Sequence, residues 1–164
     1  MVPYEDFDAI FMVAGGIGIT PLHSTFRTLH KIASHSAPRY SQSRSRWRFP
    51  DRVHLLWIAP RPQIFTLFMS TLSEVDAEDL DGRFSYRLFS TLANAGEGRR
   101  NRRGSAVAYD SGRPDLATEL RRVSHHKDRA LMYACGPKSL TDNCRRLAAE
   151  AGVAFRCEPF ELGR

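Results

Sequence analysis

Long hydrophobic runs are absent from this 164-residue sequence. No stretch approaches the roughly 18 consecutive apolar residues that a membrane-spanning helix needs. The N-terminus also lacks the apolar region of a signal peptide. Residues 1–6 lead almost directly into an apolar strand. We therefore interpret this N-terminus as the start of a segment excised from a longer polypeptide.

Cysteine is scarce, and its pattern argues against two classes of small domain. The three cysteines, Cys135, Cys144 and Cys157, are odd in number and form no C-x-x-C pair. A disulfide scaffold uses an even set of cysteines, and a structural zinc site uses closely spaced pairs. We therefore predict no metal site and a reducing, cytosolic compartment.

Acidic residues are outnumbered, because 18 Asp and Glu stand against 24 Lys and Arg and give a net charge of +6. A basic surface suits phosphate-bearing ligands, acidic lipid headgroups or nucleic acid, and charge alone does not choose among them. Hydrophobic residues make up 42% and charged residues 26%, which is typical of a soluble globular protein. We expect residues 1–164 to form a single domain.

Buried strands and amphipathic helices alternate along the chain. Residues 9–14 form an apolar run that ends in Gly15-Gly16, as a strand buried on both faces should. Pro21 then opens a helix with one apolar stripe, which Leu22, Phe26, Leu29 and Ile32–Ala33 form. The other predicted strands are residues 53–59, 83–90, 129–134 and 153–158, and the other predicted helices are about 64–75, 114–125 and 139–151.

This alternation predicts an α/β fold with a doubly wound, open parallel sheet. We expect about five strands in the order 3-2-1-4-5, with helices on both faces. The strand at 83–90 is the least apolar, so we place it at or near a sheet edge. Gly152 follows the last helix at the position that a C-terminal glycine usually occupies.

Two stretches interrupt the alternation, at about residues 34–50 and 92–111. The first is rich in Ser and Arg, and the second contains Gly-Glu-Gly-Arg-Arg-Asn-Arg-Arg-Gly. Neither shows a hydrophobic period, so we predict two mobile, solvated insertions. Phosphoregulation or contact with lipid is the functional alternative.

The main functional signal is the segment from Val13 to Pro21, Val-Ala-Gly-Gly-Ile-Gly-Ile-Thr-Pro. Glycines after a strand let the backbone turn sharply and approach a pyrophosphate closely. The N-terminus of the following helix offers unpaired N–H groups to phosphates. Thr20 can cap that helix or bond a phosphate, and Pro21 suits its first position. A plain tight turn is the alternative. The candidate cofactor-binding residues here are Gly15, Gly16, Ile17, Gly18, Thr20 and Pro21.

Three further segments accompany this turn: Leu56–Arg61 (Leu-Trp-Ile-Ala-Pro-Arg), Gly112–Asp115 (Gly-Arg-Pro-Asp) and Ala134–Leu140 (Ala-Cys-Gly-Pro-Lys-Ser-Leu). Together the four resemble, in the same order, the C-terminal NAD(P)-binding domain of the ferric reductase and NADPH oxidase family, within the ferredoxin–NADP reductase superfamily. The resemblance covers the chain apart from the two insertions. One such motif is weak, whereas four in register are specific.

The resemblance implies a domain that binds NADPH, or NADH, and delivers hydride to FAD. It also implies an FAD-binding domain and a membrane haem domain as partners in the same polypeptide. Neither lies within these residues, so this segment alone is not expected to bind FAD or haem. It would lie on the cytosolic face of a membrane and bind nucleotide without substantial turnover.

Two arginines are candidates for the adenosine end of the nucleotide. Arg61 follows the second strand, where the ribose rests in a sheet of this kind. Its guanidinium could grip a 2′-phosphate, which favours NADPH over NADH. Arg113 is a second candidate for phosphate or ribose. The alternative for Arg61 is a surface position at the start of a helix.

The nicotinamide end involves the fourth strand. The predicted strand order places Cys135, Gly136 and Pro137 across one crevice from the glycine turn. In the family this cysteine lies near the reactive carbon of the nicotinamide. A small buried side chain is the alternative for Cys135, and we do not propose it as a nucleophile.

The C-terminal segment Cys157-Glu158-Pro159-Phe160-Glu161 resembles the family's ending, where an aromatic residue covers the flavin and must move for the nicotinamide to stack. By that resemblance Phe160 is the gate and Glu158 a polar group beside the hydride path. The alternative for Phe160 is a core aromatic. The family's haem histidines lie on membrane helices, so we expect core or surface roles for all six histidines, including His23 and His30.

A ferric-chelate reductase is therefore the first prediction, and a superoxide-generating NADPH oxidase is the near alternative. A basic, noncatalytic module that binds nucleic acid or anionic lipid is the alternative of another class. Stacking platforms for nucleic acid need aromatics interleaved with the arginines. Only Tyr40, Trp47 and Phe49 have such positions. We therefore expect no nucleic acid, and contact of the basic loops with anionic lipid stays open.

Overall fold

The computed structural model describes residues 4–36, 49–78, 81–93, 108–124 and 129–159. Six parallel strands form one sheet, and helices pack on both of its faces. The predicted α/β class is confirmed. None of the helices in these ranges is both long and apolar enough to cross a membrane.

The strands and helices follow the predicted alternation. The strands are β1 (Ala9–Gly15), β2 (Arg52–Ala59), β3 (Phe84–Ser90), β4 (Asp110–Ser111), β5 (Ala130–Cys135) and β6 (Ala154–Cys157). The α-helices are α1 (Ile19–Ser36), α2 (Met69–Glu78), α3 (Leu116–Val123) and α4 (Lys138–Ala151). Short 3-10 helices cover Tyr4–Asp6, Gly16–Gly18 and Pro62–Phe68.

β1 lies inside the sheet, and all seven of its residues are buried. The spatial order is β4-β3-β2-β1-β5-β6. Strand order therefore reverses at β1, with β2 on one side and β5 on the other. In an open parallel sheet, the carboxyl ends of the strands at such a reversal form the usual ligand crevice.

The side chains of β1 contribute to two apolar layers, one on each face of the sheet, because successive side chains of a strand point to opposite faces. Ile10 and Met12 belong to the layer under α1 and α2. Phe11 and Val13 belong to the layer under α3 and α4. The sheet is thus packed between two layers of helices, and this packing fixes the position of β1 and of the turn that follows it.

The predicted strand order 3-2-1-4-5 is correct for the five longer strands but misses β4. Asp110 and Ser111 pair with the end of β3, so β3 lies next to the edge strand, near the sheet edge as predicted. β4 lies within the predicted insertion 92–111, most of which falls outside the described residues. Two polar residues show no apolar pattern that could predict a strand.

Helix bounds also differ from the predictions. α1 begins at Ile19 rather than Pro21, and it extends to Ser36, inside the first predicted insertion. Ile32, a member of the predicted apolar stripe, is 44% exposed. The end of α4 is as predicted, because Gly152 adopts the left-handed conformation with φ of 67°.

Candidate functional site

The turns after β1 and β5 touch each other at the carboxyl edge of the sheet. A Cβ added to Gly18 would lie 2.4 Å from the carbonyl oxygen of Cys135, and a Cβ added to Gly15 would lie 2.8 Å from Pro137 Cδ. Real Cβ atoms do not make such contacts, so both positions require glycine. The sequence predicted the two turns in one crevice, and the structure brings them into direct contact.

Gly16 differs from the other two glycines of its turn. Its φ is +56°, a conformation that favours glycine, and a Cβ built there would meet nothing within 4 Å. The backbone at Gly16 therefore borders open space. The three glycines are equivalent in the sequence motif, but only Gly16 combines a left-handed backbone conformation with room for a ligand. Gly15 and Gly18 serve contact between the two turns.

The start of α1 corrects two predictions. Thr20 is the second residue of α1, and its hydroxyl donates to the carbonyl of Ile17 at 3.1 Å, so Thr20 does not cap the helix. Pro21 is the third helical residue rather than the first. It still lies in the first turn, where a missing N–H removes no helical hydrogen bond. The N–H of Ile19, the first residue of α1, donates to the carbonyls of Gly16 and Ile17, so the 3-10 turn continues directly into α1.

Trp57 connects β2 to the glycine turn. Its indole Nε1–H donates to the carbonyl oxygen of Gly16 at 3.0 Å. The side chain is 1% exposed, and its ring packs edge-on against Phe65 with centroids 5.0 Å apart. In the sequence, Trp57 stood out only as part of a motif. Its partner lies 41 residues away, so no local pattern could reveal this contact.

Cys135 is the last residue of β5 and is almost fully buried. Burial raises the pKa of its thiol, and nearby Cys157 and Glu158 raise that pKa further. The thiol is therefore protonated at neutral pH. The next residues, Gly136 and Pro137, lead into α4, and the N–H groups of Leu140 and Thr141 in its first turn donate to the Pro137 carbonyl.

Glu158 directly follows β6 and is anchored to β5. Its backbone N–H donates to the carbonyl of Ala134 at 3.0 Å. Its carboxylate accepts a 2.5 Å hydrogen bond from the Tyr133 hydroxyl. Burial and this hydrogen bond raise the pKa of Tyr133, so Tyr133 remains a protonated donor. Phe160 lies outside the described residues.

Arg61 and Arg113 lie at the other half of the same edge. The carbonyl of Pro60 accepts from Leu92 N and from Ser90 Oγ, each at 3.0 Å. The N–H of Gly112 donates to the Ser90 carbonyl at 2.8 Å. These bonds tie together the segments that carry Arg61 and Arg113. Both side chains are exposed, and neither forms an ion pair with the residues that the structure describes.

An ionic cluster links β4, which precedes Arg113, to β3 and α3. Arg87 on β3 pairs with Asp110 on β4 at 2.5 Å and with Glu119 on α3. Glu119 is buried, and Arg122 lies 3.6 Å from the same carboxylate. The cluster was not predicted, because its members are scattered over three elements.

Each of three histidines, His23, His30 and His54, has its own partners. His23 Nε2 lies 2.8 Å from Thr71 Oγ1, whereas the ring of His30 packs edge-on against Phe84 with centroids 5.1 Å apart. His54 is buried beside Arg87 and Arg122, and burial together with these charges lowers its pKa to about 4. Across the described ranges, no three His, Cys, Asp or Glu side chains are grouped as metal ligands would be.

Comparison with known proteins supports the family resemblance that the sequence motifs indicated. Residues 7–149 match the family described as the ferric reductase NAD binding domain. The dual oxidase of Drosophila melanogaster is 26% identical over 156 residues, which cover 82% of this chain and 10% of that protein. Respiratory burst oxidase homolog protein B of Oryza sativa subsp. japonica is 21% identical over 174 residues, covering 90% of this chain and 19% of that protein.

Two solved structures share the fold. The flavohem-like FAD/NAD binding domain of nitric oxide dioxygenase from Vibrio cholerae O1 biovar El Tor aligns with a TM-score of 0.60 and 17% identity, over 93% of this chain and 51% of that one. The CS-b5R domains of human Ncb5or, in the NAD+ form, align with a TM-score of 0.52 and 16% identity, over 94% of this chain and 38% of that one. At these identities the likeness concerns the fold alone.

The parallel sheet and the two touching turns at its point of strand reversal define an open α/β domain, in which the usual ligand crevice lies at the carboxyl edge. Because the family match extends over residues 7–149, the chain belongs to the ferric reductase NAD-binding domain family. It spans between a tenth and a fifth of the dual oxidase and the respiratory burst oxidase homolog.

Proposed function

We propose that this domain binds NADPH, or less favourably NADH, and delivers hydride to the FAD of a haem-containing transmembrane oxidoreductase of the ferric-chelate reductase type. The observation that carries the proposal is the contact between the glycine turn and the Cys-Gly-Pro turn. It supplies, at one point of strand reversal, both a place for an anionic group and a neutral, buried thiol beside it.

The glycine turn fits a pyrophosphate. The space around Gly16 is open, and the N-terminus of α1 gives this turn a partial positive charge. Thr20 is exposed in the first turn of α1. In this proposal, Gly15 and Gly18 hold the turn against β5 while Gly16 and Ile17 contact the phosphates.

The arginine half of the edge fits the adenosine end. Arg61 and Arg113 present exposed guanidinium groups on segments that backbone hydrogen bonds hold together. No acidic residue closes β2, which ends in Ala59-Pro60-Arg61 and therefore offers no carboxylate for a free 2′-hydroxyl. Both features favour a 2′-phosphate, and hence NADPH.

The Cys-Gly-Pro half fits the nicotinamide. When bound there, the nicotinamide ring would supply the hydride, and the protein would bind and orient it and exclude water. Cys135 offers a protonated thiol at the end of β5. Glu158, oriented by Tyr133, offers a carboxylate beside it. We retain Phe160 as the proposed aromatic gate, on the family resemblance alone.

The partners in this proposal are the FAD-binding and membrane haem domains of the same polypeptide, with this domain on the cytosolic face. The small share of each relative that the chain covers leaves room for them.

A superoxide-generating NADPH oxidase is the second candidate, and the relatives favour it, since one is a dual oxidase and the other a respiratory burst oxidase homolog. The two candidates share this domain's reaction and differ in the terminal acceptor. Reduction of a ferric chelate measured beside superoxide production in the full-length protein would separate them.

Nucleotide titration of Gly16→Val tests the proposed site. We expect saturable NADPH binding by the unaltered domain and loss of that binding in Gly16→Val, because the new side chain fills the space that the phosphates need. The matched control is Gly82→Val. Gly82 has φ of +66° and equally open surroundings, but it precedes β3 at the opposite edge of the sheet.

Calorimetry with NADPH, at equal folded concentrations, provides the measurement. Undiminished binding by Gly16→Val would remove the glycine turn from the site. Absence of any nucleotide signal in the unaltered domain, together with a steeply salt-dependent affinity for DNA, would instead favour a basic binding module.

A further inference from the structure

We infer that Trp57 is a positioning residue for the phosphate-binding turn, an inference that rests on the proposed function. Trp57 does not border the open space itself, because its side chain is 1% exposed. Its connection to the site is the hydrogen bond from Nε1 to the carbonyl oxygen of Gly16.

That hydrogen bond fixes the direction of one amide group. The carbonyl and N–H of a trans peptide unit point in opposite directions, since the unit is planar. The Gly16 carbonyl points inward to the Trp57 indole and also accepts from Ile19 N. The N–H of Ile17, in the same peptide unit, therefore points away from the indole, toward the exposed side of the turn.

Gly16 alone does not hold this orientation. Glycine at φ of +56° has no side chain to restrict its backbone, and a Cβ there would contact nothing. The restraint has to come from the carbonyl's partners. Trp57 is rigid enough to supply it, because Phe65 and Phe68 pack against its ring with centroids 5.0 and 5.6 Å away.

Trp57 therefore preorganises one donor for the pyrophosphate. Preorganised donors bind an anion without the cost of ordering the loop first. Loss of the indole N–H should weaken ligands that carry a pyrophosphate and spare ligands that carry only the adenosine monophosphate end.

The test compares ADP-ribose with AMP in Trp57→Phe, which keeps a buried aromatic ring and removes the donor. We expect affinity for ADP-ribose to fall about fivefold, the effect of one lost hydrogen bond, while affinity for AMP is unchanged. Phe26→Leu is the control, since Phe26 is fully buried in the same apolar layer and its ring packs against Phe84. It should leave both affinities unchanged.

If Trp57→Phe does not fold, an NMR signal from the unaltered Trp57 side chain provides a second test. The chain has two tryptophans, and Trp47→Phe leaves the indole N–H signal of Trp57 as the only one in a ¹H–¹⁵N spectrum. Saturating ADP-ribose should shift that signal, and AMP should not.

The outcomes separate the two proposals. If the unaltered domain binds ADP-ribose but Trp57→Phe loses ADP-ribose and AMP affinity equally, or loses neither, Trp57 is not a positioning residue. An indole signal that does not respond to bound ADP-ribose would exclude that role as well. If the unaltered domain binds no ADP-ribose at all, the proposed function itself fails.

Discussion

The two halves of the sheet's carboxyl edge differ in packing and in charge. At the ends of β1 and β5, two turns touch through glycines, and Gly18 has no room for a Cβ beside Cys135. At the ends of β2 and β4, Arg61 and Arg113 are exposed on segments that hydrogen bonds hold in place. Packing fixes the shape of the first half, while the second half supplies charge. Substitutions of the contact glycines Gly15 and Gly18 should therefore affect folding, and those of the two arginines only affinity.

The largest expected effect is that of Gly18→Ala. The added methyl would overlap the backbone of Cys135 and Gly136, and backbone atoms cannot move aside as a flexible side chain can. We expect a loss of about 3 kcal/mol in the free energy of unfolding, at the upper end for overpacking. Urea denaturation followed by circular dichroism gives the value.

Gly152→Ala is the matched control for that measurement. Gly152 has positive φ but nothing within 4 Å of an added Cβ, so its substitution carries backbone strain without a clash and should cost about 1 kcal/mol. If Gly18→Ala proved no more destabilising than Gly152→Ala, that result would contradict the close contact between the two turns.

A smaller effect, confined to affinity, is expected for Arg61→Ala. Loss of the exposed guanidinium should weaken NADPH binding about tenfold, as for one charge-assisted contact to a phosphate, while NADH binding and stability change little. Arg121→Ala, which removes an exposed arginine from α3, controls for net charge. Equal losses for NADPH and NADH would exclude Arg61 from 2′-phosphate recognition.

Continuous apolar runs made much of this fold predictable from sequence. β1, β2 and β5 are buried along most of their length, and such strands can be recognised without alternation. β4 could not be found, because Asp110-Ser111 is short and polar. Leu67 was expected within a helix after β2, but a 3-10 segment occupies that position and leaves Leu67 68% exposed.

The site was predictable as a set of motifs but not as a set of contacts. Glycine spacing located the turn, yet Gly16 and Gly18 differ in backbone conformation and in their distance from Cys135 and Gly136, which the sequence does not specify. The hydrogen bond from Trp57 to Gly16 and that from Tyr133 to Glu158 both link residues distant in the chain. Side-chain contacts of this kind require the fold.

The central claim is that a dinucleotide binds across the carboxyl edge of the sheet. The most direct test is to map the NMR chemical-shift changes of the backbone amides when NADPH is added. We predict the largest shifts at residues 15–20, Cys135 and Gly136, with smaller ones near Arg61 and Arg113 and none at Gly82. The same map with AMP should keep only the shifts near the two arginines. Shifts concentrated at the amino edge of the sheet, or in the basic insertions while residues 15–20, Cys135 and Gly136 stay unmoved, would contradict nucleotide binding at the carboxyl edge.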